Sequence, residues 1–448
     1  MRLFSHLEIQ AMELDRRRVV GGLAATSTLT CLPARAGHVV DVDVVIIGAG
    51  VAGIAAGRAL GALGISYRIL EARDRVGGRV VTDTQSLGRR FDRGAYWLHN
   101  KAQNPLVPLA RSYGTKLLPS SYEDGGIFEA GQISPRPTWG EVSRAMVGWE
   151  MRQALSFGQG RDVALADTLP QPSPAQRHLL NVFAVEMGDD PALISRDGYQ
   201  ALAAGEDLIP ETGMGSLVSR LGLDLPISLA SPVERVIWNQ SHGVTVVGRF
   251  GQLRAKAALI TVPTGVLARD GIRFDPALPA FKTKAIADLP MGGFEKVAMV
   301  LEQALPDLPE YALSNRHIQV GQYHALVTSP DKNMVTALLP GGVSRPLLRE
   351  GPAALADFAQ SLLREVVGTG ARVQKQAGTN WQEDVFSLGS YCHPRIGATH
   401  ARRDYGLPVE NRLFFAGDGC EDALAVTVSG AWRHGRRAAE ELRRALKA

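Results

Sequence analysis

The chain has 448 residues, 45% hydrophobic and 21% charged, with a formal net charge of +4 at pH 7. That length is more than one core usually fills and predicts two domains, while so small and dispersed a charge argues against nucleic acid. No run is apolar for long enough to span a bilayer, and three cysteines without metal-ligand spacing argue against a zinc site or a disulfide scaffold.

The amino terminus reads as a targeting segment. Arg16, Arg17 and Arg18 precede the apolar run 19–32, which ends in Pro33-Ala34-Arg35-Ala36. This is a basic region, a short hydrophobic region and an A-x-A cleavage signal. Paired arginines before a weakly hydrophobic run resemble a twin-arginine export signal. The expectation is export by the twin-arginine machinery from a start at Met1 or Met12, with cleavage near Ala36. No stable membrane insertion is expected, and the mature protein would be periplasmic or secreted. Cys392 and Cys420 would then remain, able to pair in an oxidising compartment; the sequence leaves open whether they meet.

Residues 41–82 carry the strongest pattern. The run 42–47 is apolar and rich in β-branched residues, as in a strand buried on both faces. Gly48, Gly50 and Gly53 follow in the spacing G-x-G-x-x-G, then a small-residue helix over 52–63 stopped by Gly64. A second strand over 67–70 ends at Glu71. Gly48 permits the tight turn, Gly50 lets the backbone approach a pyrophosphate, and Gly53 lets the helix press on the strand. The helix start favours phosphate charge, and Glu71 is placed to accept hydrogen bonds from a ribose. Together these predict a dinucleotide site in an α/β, Rossmann-type domain.

Directly after Glu71 stand Ala72, Arg73, Arg75, Gly77, Gly78 and Arg79, in the run ARDRVGGR. Guanidinium groups and bare glycine backbone suit a diphosphate. Here the sequence resembles the flavin-containing amine oxidase family, which includes monoamine and polyamine oxidases. The resemblance implies FAD, with this run as a second phosphate and ribityl contact. It also implies a GR2-like FAD-binding domain, made of 38–110, 208–288 and 379–448 after the signal 1–36. An interleaved α+β substrate domain would take 111–207 and 289–378.

The segment Phe91 to His99, then Asn104-Pro105-Leu106, resembles the family stretch that passes the flavin ring, which brings in Gly94, Ala95, Tyr96 and Trp97. His99 matches a position beside the substrate in the polyamine-oxidase branch; a packed core histidine is the plain alternative. Helices are expected over 139–157 and 173–187, the second with Pro174 in its first turn. Glu186, Asp189 and Asp190 close that region as possible attractors of a cationic amine, or simply as a solvated helix end.

Residues 209–217 resemble the family's turn back into the cofactor domain. Strands are expected over 244–250 and 258–262, and the position of Val233 meets adenine through its backbone in relatives. In Met291-Gly292-Gly293-Phe294-Glu295-Lys296, the resemblance marks Lys296 as the lysine that holds a water against flavin N5; an ordinary snorkelling lysine is the alternative. A strand over 334–339 and an amphipathic helix over 353–367 follow. Trp381 and Ser387 to Tyr391, the Gly417-Asp418 pair, and Thr427-Val428-Ser429-Gly430-Ala431 opening the last helix complete the resemblance. In relatives that helix start lies under the ring, where its dipole favours electron density.

Three departures bear on the site. Asp418 stands where the family usually has Glu. Ser390 occupies the position of the flavin-attached cysteine of monoamine oxidases, which implies non-covalent FAD. Of the two aromatic residues that sandwich an amine, only Tyr391 is kept, and the second position falls near Thr427. The resemblance implies oxidation of a small di-, poly- or secondary amine, with Lys296, Tyr391 and His99 at the reaction and Asp189 and Thr427 near the substrate. Electrons would pass to O2, giving peroxide, or to a periplasmic acceptor. A desaturase, an amino-acid oxidase, an amine dehydrogenase and a non-enzymatic FAD-binding protein share the same cofactor pattern.

Overall fold

The computed structural model describes residues 41–120, 125–156, 160–240, 243–315, 322–420 and 423–447. The expected export signal lies outside them. The strand Asp41–Ile47 sits inside the larger sheet, parallel to Tyr67–Leu70 on one side and to the end of Gly251–Ile260 on the other. Val44 and Ile46 join an apolar cluster with the helices, whereas Val45 and Ile47 join a second cluster on the opposite face. A strand covered twice needs apolar side chains on both faces, which is why its run is unbroken.

Among the described residues this sheet has eight strands. It runs from Arg273–Asp275 through Val233–Gln240, Gly243–Gly248 and Gly251–Ile260 to Asp41–Ile47, Tyr67–Leu70 and Ile227–Ser228. Leu413–Phe415 pairs in parallel beside residues 258–260. The helices Val51–Ala62 and Val428–Ala445 lie against each other beside it. Gly435 makes that helix–helix contact possible, because a Cβ there would overlap the Ala52 carbonyl oxygen, and Gly53 lets the first helix press on the turn beneath it, where a Cβ would overlap the Gly48 carbonyl oxygen.

A second sheet of seven strands has the order Val373–Gly378, Glu295–Leu301, Met334–Leu339, Ala325–Thr328, Tyr311–Ser314, Gly125–Glu129 and Gln132–Ile133. The helix Pro352–Val367 covers one face with Leu355, Ala359, Leu362 and Val366, a helical stripe facing a core. The other face meets Tyr96, Trp97 and Tyr391. The helices Trp139–Ser156 and Pro174–Met187 pack through Trp149 and Phe183, whose ring centroids are 4.7 Å apart. Ser173 and Gln176 cap the second helix reciprocally. Leu117–Ser120, within the expected substrate segment, pairs with Asp207–Pro210 at its border.

Cys392 and Cys420 are both free and buried, so no bridge joins them here. Lys282 is fully buried and donates from Nζ to the carbonyls of Asp404 at 2.8 Å and of Tyr405 and Leu407 at 2.6 Å. It thereby closes the end of the helix Ala401–Gly406. Lys282→Met would strand those acceptors and should cost about 3 kcal/mol, read as a lower urea midpoint. An unchanged midpoint would mean that water replaces the amine freely.

Candidate active site

Both sheets contribute to one large cavity of about 1290 Å³. On the nucleotide side, the strand ends at Ile47, the chain turns at Gly48, and the helix begins at Val51 behind Gly50, which offers no side-chain cap. Its first amides are left for a ligand to accept from. A Cβ on Gly50 or on Gly417 would meet nothing within 4 Å, and both residues line the cavity. These are open cradles rather than packed turns.

Glu71 is buried at the end of its strand and lines the same space. Its Oε2 accepts from the Ala49 amide at 2.7 Å and its Oε1 from the Arg73 amide at 2.9 Å. The carboxylate is thus held in place, with lone pairs left for a ribose. Ala72, Gly78 and Val233 line this end as well. Arg73 is fixed by Asp384 at 3.0 Å and Ser387 Oγ at 2.8 Å. Arg79 forms a two-pronged pair with Asp418, at 2.6 and 3.1 Å. The shorter acid at 418 therefore reaches a guanidinium partner. Gly53 and Arg75 are absent from the lining: Gly53 serves packing beneath the turn, and Arg75 donates to the Val76 and Gly78 carbonyls of its own loop.

Farther along the cavity stand Gly94, Ala95, Tyr96, Trp97 and Trp381. Tyr96 and Trp97 meet edge to face, with centroids 4.8 Å apart. Trp381 is anchored by its indole N–H on the Arg93 carbonyl at 3.1 Å. Lys296, from the strand Glu295–Leu301, enters between these groups. Its Nζ donates to the Gly94 carbonyl at 2.6 Å and to the Asp92 carbonyl at 3.2 Å. It also lies 5.6 and 5.8 Å from the Tyr96 and Trp97 ring centres. Burial pulls the ammonium down to about 8, against a weaker opposing pull from Asp92. An amine so tuned can exchange a proton near neutral pH.

Tyr391 lines the cavity with its hydroxyl tied to the Val185 carbonyl at 3.2 Å. Burial pushes that phenol far above its ordinary range, so it stays neutral. His99 also lines the cavity, and its Nδ1 lies 2.8 Å from Asp207 Oδ2. Thr427, Val428 and Ala431 form the floor where the last helix starts. The Thr427 hydroxyl accepts from Gly430 N at 3.1 Å and donates to the Leu424 carbonyl at 2.7 Å. It caps the helix, which commits its polar atom away from a substrate.

The acids near the end of Pro174–Met187 divide. Glu186 faces the cavity, where its Oε2 accepts from the Tyr199 hydroxyl at 2.6 Å. Burial, together with the charges of Asp207 and Glu150, pushes its carboxyl up against the pull of Tyr199 and His99. Asp189 does not line the cavity. It is 1% exposed and its oxygens are taken by Arg345 and His393, so a direct substrate role for Asp189 is corrected. The chain turns at Gly188 in a left-handed conformation, which sends the next side chain elsewhere. Asp207, Tyr199 and Glu150 escaped the sequence reading, since they come from separate segments. Glu186, named from the sequence as a possible attractor of a cationic amine, stands out there as a lone acid in the apolar turn AVEM.

The model of flavin containing amine oxidoreductases matches residues 51–191 and 180–443 of this chain. The chain belongs to that family. Polyamine oxidase 4 of Oryza sativa subsp. japonica is 28% identical over 437 residues, covering 90% of this chain and 89% of that one. Among solved structures, a putrescine oxidase from a redesign of its cofactor binding superposes with a TM-score of 0.78 at 20% identity. It covers 91% of this chain and 100% of that one. Cyclohexylamine oxidase from Brevibacterium oxydans IH-35A superposes with a TM-score of 0.73 at 22% identity, covering the same shares. As a flavin-containing amine oxidoreductase the protein uses FAD, and the residues fit it. The open glycine cradles, the uncapped helix start and the anchored Glu71 suit the dinucleotide, and the aromatic end of the cavity suits a flat ring system.

Proposed function

We propose that this amine oxidoreductase acts on a di- or polyamine, or a related secondary amine, and that dioxygen is its electron acceptor. The observation that carries the substrate class is one cavity holding Lys296 and Tyr391 together with Glu186, Asp207 and the more exposed Glu150. Acidic groups along a largely apolar wall favour a substrate with a second cationic nitrogen. The resemblance to a polyamine oxidase supports the same reading.

When bound, FAD would supply the acceptor for a hydride equivalent from the carbon beside the amine nitrogen, with dioxygen as the final oxidant and hydrogen peroxide as the product. The protein's share is to orient that C–H bond and to exclude water. Tyr391 presents an aromatic face to the nitrogen. Lys296, with donors already given to two carbonyls, keeps one position on Nζ for a water or a proton. Glu186 and Asp207 balance the distal ammonium and set which end of the substrate enters.

Ser390 donates to the Gly292 carbonyl at 3.1 Å and accepts from Phe294 N at 3.2 Å, and neither Cys392 nor Cys420 lines the cavity. FAD is accordingly held without a covalent bond and should be released by acid precipitation. The amino-terminal pattern supports export through the twin-arginine route, which carries folded, cofactor-loaded proteins.

The test is peroxide release from putrescine, spermidine, cyclohexylamine and amino acids. Turnover is expected with the first two and none with amino acids. Dye reduction without peroxide would instead make the protein an amine dehydrogenase. Glu186→Gln should raise KM for spermidine about 10-fold while leaving KM for a simple monoamine within about 2-fold. Equal changes for both would show that Glu186 does not read the second charge.

A further inference from the structure

Four chain segments meet behind the Tyr391 ring, and one buried carboxylate ties them together. The helix Pro174–Met187 ends at Gly188, with a φ of 71°. A Cβ at Gly188 would stand 2.8 Å from Tyr391 Cζ and 3.0 Å from its oxygen, so the phenol end of the ring packs against bare backbone. The Gly188 carbonyl accepts from Gly293 N at 3.1 Å and from Gly341 N at 3.2 Å. The Tyr391 carbonyl accepts from Gly292 N at 2.8 Å.

Asp189 follows immediately and bonds to two of the same segments. Its Oδ1 accepts from Arg345 at 2.6 Å, and its Oδ2 takes a second Arg345 bond and lies 3.3 Å from His393 Nε2. Arg345 belongs to the helix Gly341–Glu350, and His393 stands two residues after Tyr391. Burial works to raise the Asp189 carboxyl, but the bonds from His393 and Arg345 outweigh it and hold the group below its ordinary value. The carboxylate therefore stays charged and keeps both partners.

We propose that Asp189, bridging Arg345 and His393, is a positioning residue that clamps the helix end to the Tyr391 segment and so sets the ring that receives the amine. This rests on the reading of Tyr391 as the amine's aromatic contact. Stability alone gives such a buried pair little reason to exist, because apolar side chains of like volume commonly do as well. What the clamp adds is geometry. The helix end supplies both the Val185 carbonyl that holds the Tyr391 hydroxyl and the Gly188 face that backs its ring.

The test uses FAD-loaded protein and a cation that cannot be oxidised, benzyltrimethylammonium, with Kd measured by calorimetry beside kcat/KM, FAD content and thermal midpoint. Asp189→Asn and His393→Gln should each weaken the probe about 10-fold, the size of a partly lost cation–π contact, with FAD content unchanged. In a Tyr391→Leu background neither should weaken it further, because the clamp acts only through the ring. His393→Gln leaves the Arg345 pair in place and carries the test if Asp189→Asn does not fold. Equal losses with and without Tyr391, or an unchanged Kd in both single variants, would overturn the clamp. A Tyr391→Leu variant that binds the probe as well as the parent would overturn the reading beneath it instead.

Discussion

Lys296→Met should give a yellow protein whose amine oxidation falls by about 100-fold or more, the usual cost of losing a proton-handling group. Methionine fills the space of the lysine stem, so FAD content should hold. What disappears is an amine that reaches two carbonyls, at 2.6 and 3.2 Å, and one further position on Nζ. The pH profile gives the sharper reading. Burial holds Lys296 near 8, so it loses its proton as pH rises through that value. A substrate amine must also shed its proton before reaction. The parent's kcat should therefore rise through about pH 8, whereas the methionine variant keeps only the limb set by the substrate amine. An identical profile in both proteins would remove Lys296 from the chemistry.

Glu71→Ala should yield protein largely without FAD. The substitution takes away the acceptor of the Ala49 and Arg73 amides, at 2.7 and 2.9 Å, along with any bond to the ribose. A buried amide left unpaired costs about 1–3 kcal/mol before ligand contacts are counted. Two lost charge-assisted bonds to the ribose would weaken FAD by about 100-fold or more. The absorbance ratio of flavin to protein after gel filtration reads this directly. Full flavin content would show that Glu71 serves only the turn.

The parts legible in the sequence were those whose meaning is local. Strand, glycine turn, helix start and Glu71 lie in one run, and each residue acts on its neighbours. The helix expected over 173–187 and the strand over 334–339 were likewise set by their own capping and branching. The strand Gly251–Ile260 was half hidden, because its first part alternates exposed and buried positions and carries Arg254 and Lys256. Only its end is covered on both faces and reads as apolar. The strands Tyr311–Ser314 and Ala325–Thr328, four residues each, are too short to announce themselves.

The site followed the same rule. Lys296 and Tyr391 sit in distinctive local surroundings, but their neighbours arrive from far along the chain. His99 meets Asp207, and Tyr199 meets Glu186, through tertiary packing that no spacing reveals. Glu186 and Asp189 looked equivalent until the turn at Gly188 sent one into the cavity and the other into an ion pair.

Anaerobic mixing of the purified yellow protein with spermidine at pH 9, followed at the flavin absorbance maximum, tests the central claim most directly. Full bleaching is expected in the parent, and bleaching slowed by about 100-fold in Lys296→Met. A flavin that stays oxidised with spermidine, putrescine and cyclohexylamine alike would contradict it.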